Sequence, residues 1–143
     1  MHYVTELIAV GTELLLGNIT NTDAQMLSEG LSALGIDVYY HTVVGDNPQR
    51  LQEALDIARR RAYILITTGG LGPTYDDLTK PPICQAFGRE LRFHPDILET
   101  IRAHFPRTGR PMPDNNRQQA LLPVGCPLFA HPVAPAPVCG LSA

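Results

Sequence analysis

Three short apolar runs, each ending at glycine and separated by amphipathic segments, constrain this chain more than any other feature. Glu6-Leu7-Ile8-Ala9-Val10 ends at Gly11, Ile36 to Val44 ends at Gly45, and Tyr63 to Thr68 runs straight into Gly69-Gly70. The first is a short apolar run bounded by a turn signal, as in a strand buried on both faces. In the second, Val38, Tyr40, Thr42 and Val44 alternate and would share one face. Between the first two runs, Thr22-Asp23-Ala24-Gln25 reads as a capping box, Ala24, Leu27, Leu31 and Leu34 recur at helical spacing, and Gly35 suits the stop. Between the second and third, Asn47 reads as an N-cap, Pro48 as the first helical residue, and Leu51, Ala54, Leu55 and Ala58 as a buried stripe. Strand, helix, strand, helix, strand with short connections predicts right-handed crossovers and a parallel sheet covered by helices. The loops after the strands then gather at one edge, where open sheets of this kind bind ligands.

Past Asp77 the pattern weakens. Pro81-Pro82 fits a first helical turn that Gly88 ends, Glu90 to Phe93 a short edge strand, and Asp96 to Phe105 a helix carrying Ile97, Leu98, Ile101 and Phe105. Phe105 to Pro113 reads as a mobile loop, Asn115 to Leu122 as a brief helix, and the tail from Pro123 as lacking periodicity. At 143 residues the whole chain, 1–143, fits a single domain. With 44% hydrophobic and 17% charged residues it can bury a core. A net charge of -3 supplies no global basic field, so no nucleic-acid partner is expected. Arg59-Arg60-Arg61 closes a predicted helix, where positive charge meets the negative end of the macrodipole. No apolar run approaches the roughly 20 residues that span a bilayer, and the N-terminus has no signal-peptide pattern. Cys84, Cys126 and Cys139 show no CxxC spacing and read as reduced thiols. The chain is therefore expected to be cytoplasmic, without a membrane partner.

Chemistry concentrates in Thr67-Thr68-Gly69-Gly70-Leu71-Gly72-Pro73-Thr74-Tyr75-Asp76-Asp77-Leu78-Thr79. Glycines directly after a strand let the backbone turn sharply and offer amides to phosphate oxygens. A phosphate cradle beside Asp76 and Asp77 is electrostatically tense unless a cation intervenes, which points to a divalent metal. Helix capping is the competing role for either acid. The order is neither a Walker A loop nor a dinucleotide fingerprint, so hydride transfer is disfavoured. Gly11-Thr12-Glu13 opens the loop after the first strand, and Glu13 could ligate metal or accept from a ribose hydroxyl. Asp46 ends the second strand on the same rim. Asn115-Asn116-Arg117-Gln118-Gln119 could read a base or phosphate, or could simply be a solvated helix.

Together these segments, from Ile8 to Asn18, Val43 to Asn47, Thr68 to Thr79 and Asn115 to Pro123, resemble the N-terminal domain of the CinA (competence/damage-inducible protein A) family. That domain belongs to the wider MoaB/MogA molybdopterin-binding fold. The resemblance runs from about Glu6 to Gly125 and implies a three-layer α/β/α sandwich with a mostly parallel sheet. For the CinA branch it implies metal-dependent hydrolysis of ADP-ribose or a similar nucleotide diphosphate. In the molybdenum-cofactor branch the pocket binds molybdopterin and adenylylates it, and a non-catalytic nucleotide-binding module is a third reading. Asp46 and Asp77 match that branch's essential acids and are the catalytic candidates. With Asp76 they are also the candidate ligands of Mg²⁺, Co²⁺ or Mn²⁺. Gly11, Thr12, Glu13, Thr68, Gly69, Gly70, Gly72, Thr74 and Asn116 are the candidate ligand-binding residues.

Asp23 stands where the family usually has Asn, and Pro81-Pro82 replaces a more ordinary helix opening. From Ala134 the sequence leaves the family pattern, so residues 126–143 read as a divergent tail. A last glycine-rich loop, strand and helix are expected to be missing through a frameshift or truncation, and no C-terminal amidohydrolase domain is expected. A sheet edge left open in that way predicts a homo-oligomer.

Overall fold

The structure is a computed structural model that describes residues 3–74, 77–108, 111–129 and 137–141. The chain forms two compact units, Met1–Gly70 and Leu71–Ala143.

The first unit is the strand-helix repeat that the glycine-terminated runs predict. Its elements are β1 (Val4–Val10), α1 (Thr12–Leu15), α2 (Thr22–Ala33), β2 (Asp37–Val44), α3 (Pro48–Arg61) and β3 (Ile64–Thr68). The sheet order is β2-β1-β3, with both neighbours parallel to β1. As the central strand, β1 is buried from Thr5 to Val10, which is why it reads as a continuous apolar run rather than an alternating one. Helix α3 packs Leu51, Leu55 and Ala58 inward on the predicted stripe. The Asn47 side chain accepts from the Arg50 N–H at 3.0 Å, with Pro48 following. At the end of α2, Gly35 takes φ 73 while Ile36 N–H donates to the Leu31 carbonyl and Gly35 N–H to the Ser32 carbonyl. That double closure is a Schellman motif, and it needs the left-handed residue glycine supplies.

Three expectations shift here. The cap of α2 is Asn21, which accepts from Ala24 N–H at 3.1 Å, and not a box opened by Thr22. Gln25 instead donates to Glu29 one turn on. Leu34, placed on the buried stripe, is 76% exposed because the chain leaves the helix there. A register shift pairs Thr5 with Val38 but Glu6 with Tyr40, so Val38 is out of phase with Tyr40, Thr42 and Val44. One unpaired residue, Tyr39, absorbs the difference, as in a β-bulge.

The second unit contains α4 (Lys80–Ala86), β4 (Leu91–Phe93), α5 (Pro95–Thr108), a 3-10 segment (Asp114–Ala120), β5 (Leu121–Pro123), β6 (Leu128–Phe129) and β7 (Val138–Cys139). Strands β4 and β5 pair antiparallel, as do β6 and β7. Its core gathers Leu98, Ile101 and Ala120, with Phe93, Ile97, Phe105 and Met112 packed around them. Helix α5 extends to Thr108, past the point where the sequence predicts a loop, because Ile101 and Phe105 anchor its second half in that core. The described residues of the tail from Pro123 are ordered by backbone pairing, including Gly140 N–H to the Pro127 carbonyl at 3.1 Å, which leaves no side-chain periodicity to read. Among the described residues, no helix is long and apolar enough to cross a membrane.

Candidate functional site

Parallel pairing places Val10 beside Val44 and Ala9 beside Thr68, so three loops leave one edge of the β2-β1-β3 sheet. Two of them are tied at their origin, where Gly11 N–H donates to the Val44 carbonyl at 2.9 Å. The sequence reads the segment after Gly11 as an open loop, but its start is the single turn α1. Thr12 N–H, one of the donors any helix start leaves without a partner, donates to Asp46 Oδ2 at 2.9 Å. In return Asp46 N–H donates to Thr12 Oγ1 at 3.0 Å. Asp46 thus caps the neighbouring loop while staying exposed. Glu13 folds back until its carboxylate fills the space a Gly11 side chain would take, 2.6 Å from an ideal Cβ.

The third loop begins at half-buried Thr68. Gly69 has φ 81, and a Cβ there would lie 2.1 Å from the Val10 carbonyl oxygen. Only glycine passes that point. Gly70 follows with φ 62.

In the second unit the same chain continues through Gly72 to Asp77. Asp77 Oδ2 accepts from Thr74 N–H at 2.7 Å and from Thr74 Oγ1 at 2.5 Å, while Asp77 N–H donates to the Thr74 carbonyl at 3.1 Å. A Cβ on Gly72 would lie 2.6 Å from Asp77 Oδ2, so the glycine makes room for the carboxylate. Asp77 is not the cap of α4, whose N-cap is Thr79. Burial pushes the Asp77 carboxyl up, but hydrogen bonds from the Thr74 hydroxyl and from the Thr74 and Gly72 backbone outweigh it, leaving the group below its ordinary value. It is therefore a carboxylate at neutral pH. Asp76 lies outside the described residues.

The amide-rich segment behaves differently from its sequence reading. Asn116 is buried and donates to Gln119 Oε1 at 2.9 Å within the 3-10 segment. Arg117 stacks over Phe93, 4.5 Å from the ring centre. It is Gln118 whose amide reaches the glycine-rich loop, donating to the Thr74 carbonyl at 2.8 Å and the Gly72 carbonyl at 3.3 Å. Lys80 has no signal in the sequence, where a lysine opening a helix looks like solvated surface. Its ammonium donates to the carbonyls of Gln118, Gln119 and Leu121 at 3.0–3.1 Å.

Oxygen donors of this kind suit a hard cation. Mg²⁺ keeps several waters and needs only one or two carboxylates besides substrate phosphates. Among the described residues no three His, Cys, Asp or Glu side chains group to hold a metal ion by themselves. Taken singly, the carboxylate of Asp46 in the first unit and that of Asp77 in the second are each hard oxygen donors of the kind Mg²⁺ takes, unlike the soft ligands of a closed thiolate site.

A family model described as "Probable molybdopterin binding domain" matches residues 6–142. The chain belongs to that family. Within the molybdopterin-binding-domain family it is 56% identical over 137 residues to a protein named as competence-damage inducible in Bacillus cereus (strain ATCC 10987 / NRS 248), a match that covers 96% of this chain and 33% of the relative. The chain thus spans about a third of the length of the curated relatives it matches. The crystal structure of CinA from Thermoplasma acidophilum superposes with a TM-score of 0.83 at 29% identity, covering 98% of this chain and 83% of that one. The molybdopterin biosynthesis enzyme MoaB from Thermus thermophilus shares the fold, with a TM-score of 0.58 at 21% identity over 85% of this chain and 79% of its own. The CinA resemblance carried by the motifs and the mostly parallel MoaB/MogA-like α/β architecture are both borne out.

Proposed function

We propose that this domain hydrolyses the phosphoanhydride of ADP-ribose or a similar nucleotide diphosphate with the help of a divalent cation. The observation that carries the proposal is the ionised Asp77 carboxylate seated against Gly72 and Thr74 in the glycine-rich loop. The chain is similar to CinA-named proteins, and hydrolysis of a nucleotide diphosphate is what the CinA resemblance of its motifs implies. In this reading the backbone amides from Gly69 to Gly72 hydrogen-bond phosphate oxygens. Thr68 and Thr74 flank that stretch of chain. Gly11, Thr12 and Glu13 line the first loop, where Glu13 accepts from a ribose hydroxyl. Asp46, Asp76 and Asp77 are the carboxylates that would hold Mg²⁺, Co²⁺ or Mn²⁺. A bound cation of this class offsets charge on phosphoryl oxygens and lowers the pKa of a water. Asp46 keeps the first loop in place through Thr12, and Asp77 keeps the glycine-rich loop in place through Thr74. The ligand is a small nucleotide, and the protein works in the cytoplasm without nucleic acid or membrane.

Two incubations separate this reading from the molybdopterin one. AMP and ribose 5-phosphate forming from ADP-ribose and Mg²⁺ or Co²⁺ support it. Adenylylated molybdopterin forming from molybdopterin and ATP, with ADP-ribose untouched, would replace it. Thermal stabilisation by ADP-ribose with no product would reduce the domain to a binding module.

A further inference from the structure

We infer that Gln118 and Lys80 are positioning residues that set the conformation of the glycine-rich loop from the Asp114–Ala120 segment. The inference rests on the phosphate-cradle reading above for its functional meaning, and on hydrogen bonds within the second unit for its geometry.

A primary amide nitrogen carries two protons and an ammonium three. Gln118 Nε2 directs its two at the Thr74 carbonyl, 2.8 Å away, and the Gly72 carbonyl, 3.3 Å away. Lys80 Nζ directs its three at the carbonyls of Gln118, Gln119 and Leu121, at 3.1, 3.1 and 3.0 Å. Every N–H of both groups is thereby committed to backbone oxygens. No donor of either group is left for a ligand, so through these donors they act on one by way of the backbone they hold.

Peptide geometry transmits that effect. Each peptide unit is planar, so holding its carbonyl fixes the orientation of the whole unit. The unit after Gly72 has no N–H, because Pro73 follows, and gripping its carbonyl therefore sets the path of the chain rather than a donor. On the other flank, Asp77 Oδ2 takes the Thr74 N–H. Thr74 is gripped from both sides, its carbonyl by Gln118 and its N–H and hydroxyl by Asp77. Lys80 closes the arrangement. It opens α4, three residues past Asp77, and anchors the carbonyl of Gln118 itself. Its burial pulls the ammonium below its ordinary value, with the nearby thiols of Cys139 and Cys84 acting in the opposite direction. A lysine held this way orders backbone at a desolvation cost, which a purely solvated role would not require.

The test uses the full chain and two substitutions at each position. Gln118→Glu keeps the shape but presents a carboxylate to two carbonyls, and Gln118→Met removes the donors without adding charge. Lys80→Met removes the ammonium, and Lys80→Arg restores a cation. Inorganic pyrophosphate with Mg²⁺ is titrated calorimetrically, hydrogen exchange is followed at the Gly72 and Thr74 amides, and melting is recorded as a fold control. The expected result is pyrophosphate binding weakened roughly tenfold or more by Gln118→Glu, Gln118→Met and Lys80→Met, the range typical when outer-shell support is removed. Exchange at Gly72 and Thr74 should rise while exchange in β1 is unchanged, and Lys80→Arg should recover part of both losses. Wild-type affinity and wild-type exchange in folded Gln118→Glu and Gln118→Met proteins would overturn the inference. If the wild type binds no pyrophosphate, the phosphate-cradle reading fails. The inference is then decided by exchange alone, with faster exchange at Gly72 and Thr74 upholding it and unchanged exchange rejecting it. A variant that does not fold leaves the decision to the other substitution at that position.

Discussion

At the scale of single residues, several positions that look chemical are first of all geometric. Gly69 is the sharpest case, since its φ of 81 and its approach to Val10 exclude any side chain. Gly69→Ala is expected to lower stability by roughly 2–4 kcal/mol, from left-handed strain and overpacking together, seen as a lower midpoint in urea unfolding. Glu6 is a second case, and the sequence hides it inside an apolar run. It is fully buried on β1, accepting from Arg61 Nε at 2.8 Å, Arg61 Nη2 at 2.6 Å and Thr42 Oγ1 at 2.6 Å. The Arg61 guanidinium also stacks 3.9 Å over the Tyr40 ring. The Arg59-Arg60-Arg61 run does end α3, where its charge meets the helix dipole, but Arg61 additionally neutralises a buried acid. Pairing of Glu6 with Arg61 joins positions 55 residues apart, and no local pattern reports that.

Burial pushes the Glu6 carboxyl up, while hydrogen bonds from Arg61 and Thr42 and the Arg61 charge outweigh it, so the folded-state value falls below 4.5. A carboxyl lowered by folding contributes stability above its unfolded value and loses it as pH falls through the folded one. Wild-type stability should therefore decline as pH drops below about 4.5, the unfolded reference. Glu6→Gln should flatten that decline while lowering stability at pH 7 by on the order of 1–3 kcal/mol. Urea titrations of both proteins between neutral and acid pH check the pair of expectations, and an unchanged acid limb in Glu6→Gln would refute the assignment.

At the scale of elements, the first unit was legible because its signals are local. Glycine ends each strand, Asn47 and Pro48 open α3, and Leu51, Leu55 and Ala58 fall at helical spacing, so each boundary is written within a few residues. Asn47→Ala should cost about 1 kcal/mol through loss of the bond to Arg50 N–H, measurable as a lower melting temperature with the fold retained. Where the reading slipped, the margin was one residue at a helix end or one residue of strand register. Asn21 rather than Thr22 caps α2, Leu34 leaves the helix too late to be covered, and one extra residue at Tyr39 changes the phase of β2. The second unit was less legible because its first strand pair joins residues 28 or more positions apart and its 3-10 segment has no strong period. In the candidate site, Asp46 is singled out by its strand end, Asp77 by its place in the glycine-rich loop, and both by the family resemblance. Their observed partners, Thr12 and Thr74, lie 34 and 3 residues away. Gln118 was visible only as one amide among several, and Lys80 not at all.

At the scale of the whole molecule, the first unit carries a three-stranded parallel sheet in which, among the described residues, β2 and β3 each pair on one side. Tyr39 and Tyr63 are 64% and 78% exposed. Open strand edges and exposed aromatic rings favour association, so light scattering should report a mass above the 15.6 kDa of one chain. A monodisperse species at that mass would contradict the expectation.

The most direct measurement is release of AMP from ADP-ribose by the purified chain as Mg²⁺ is titrated, alongside Asp77→Asn. AMP is expected to appear only with added metal, to vanish on chelation, and to fall by roughly 100-fold or more when the Asp77 charge is removed. Equal AMP release with and without metal, or full activity in Asp77→Asn, would contradict a metal-dependent role for that carboxylate.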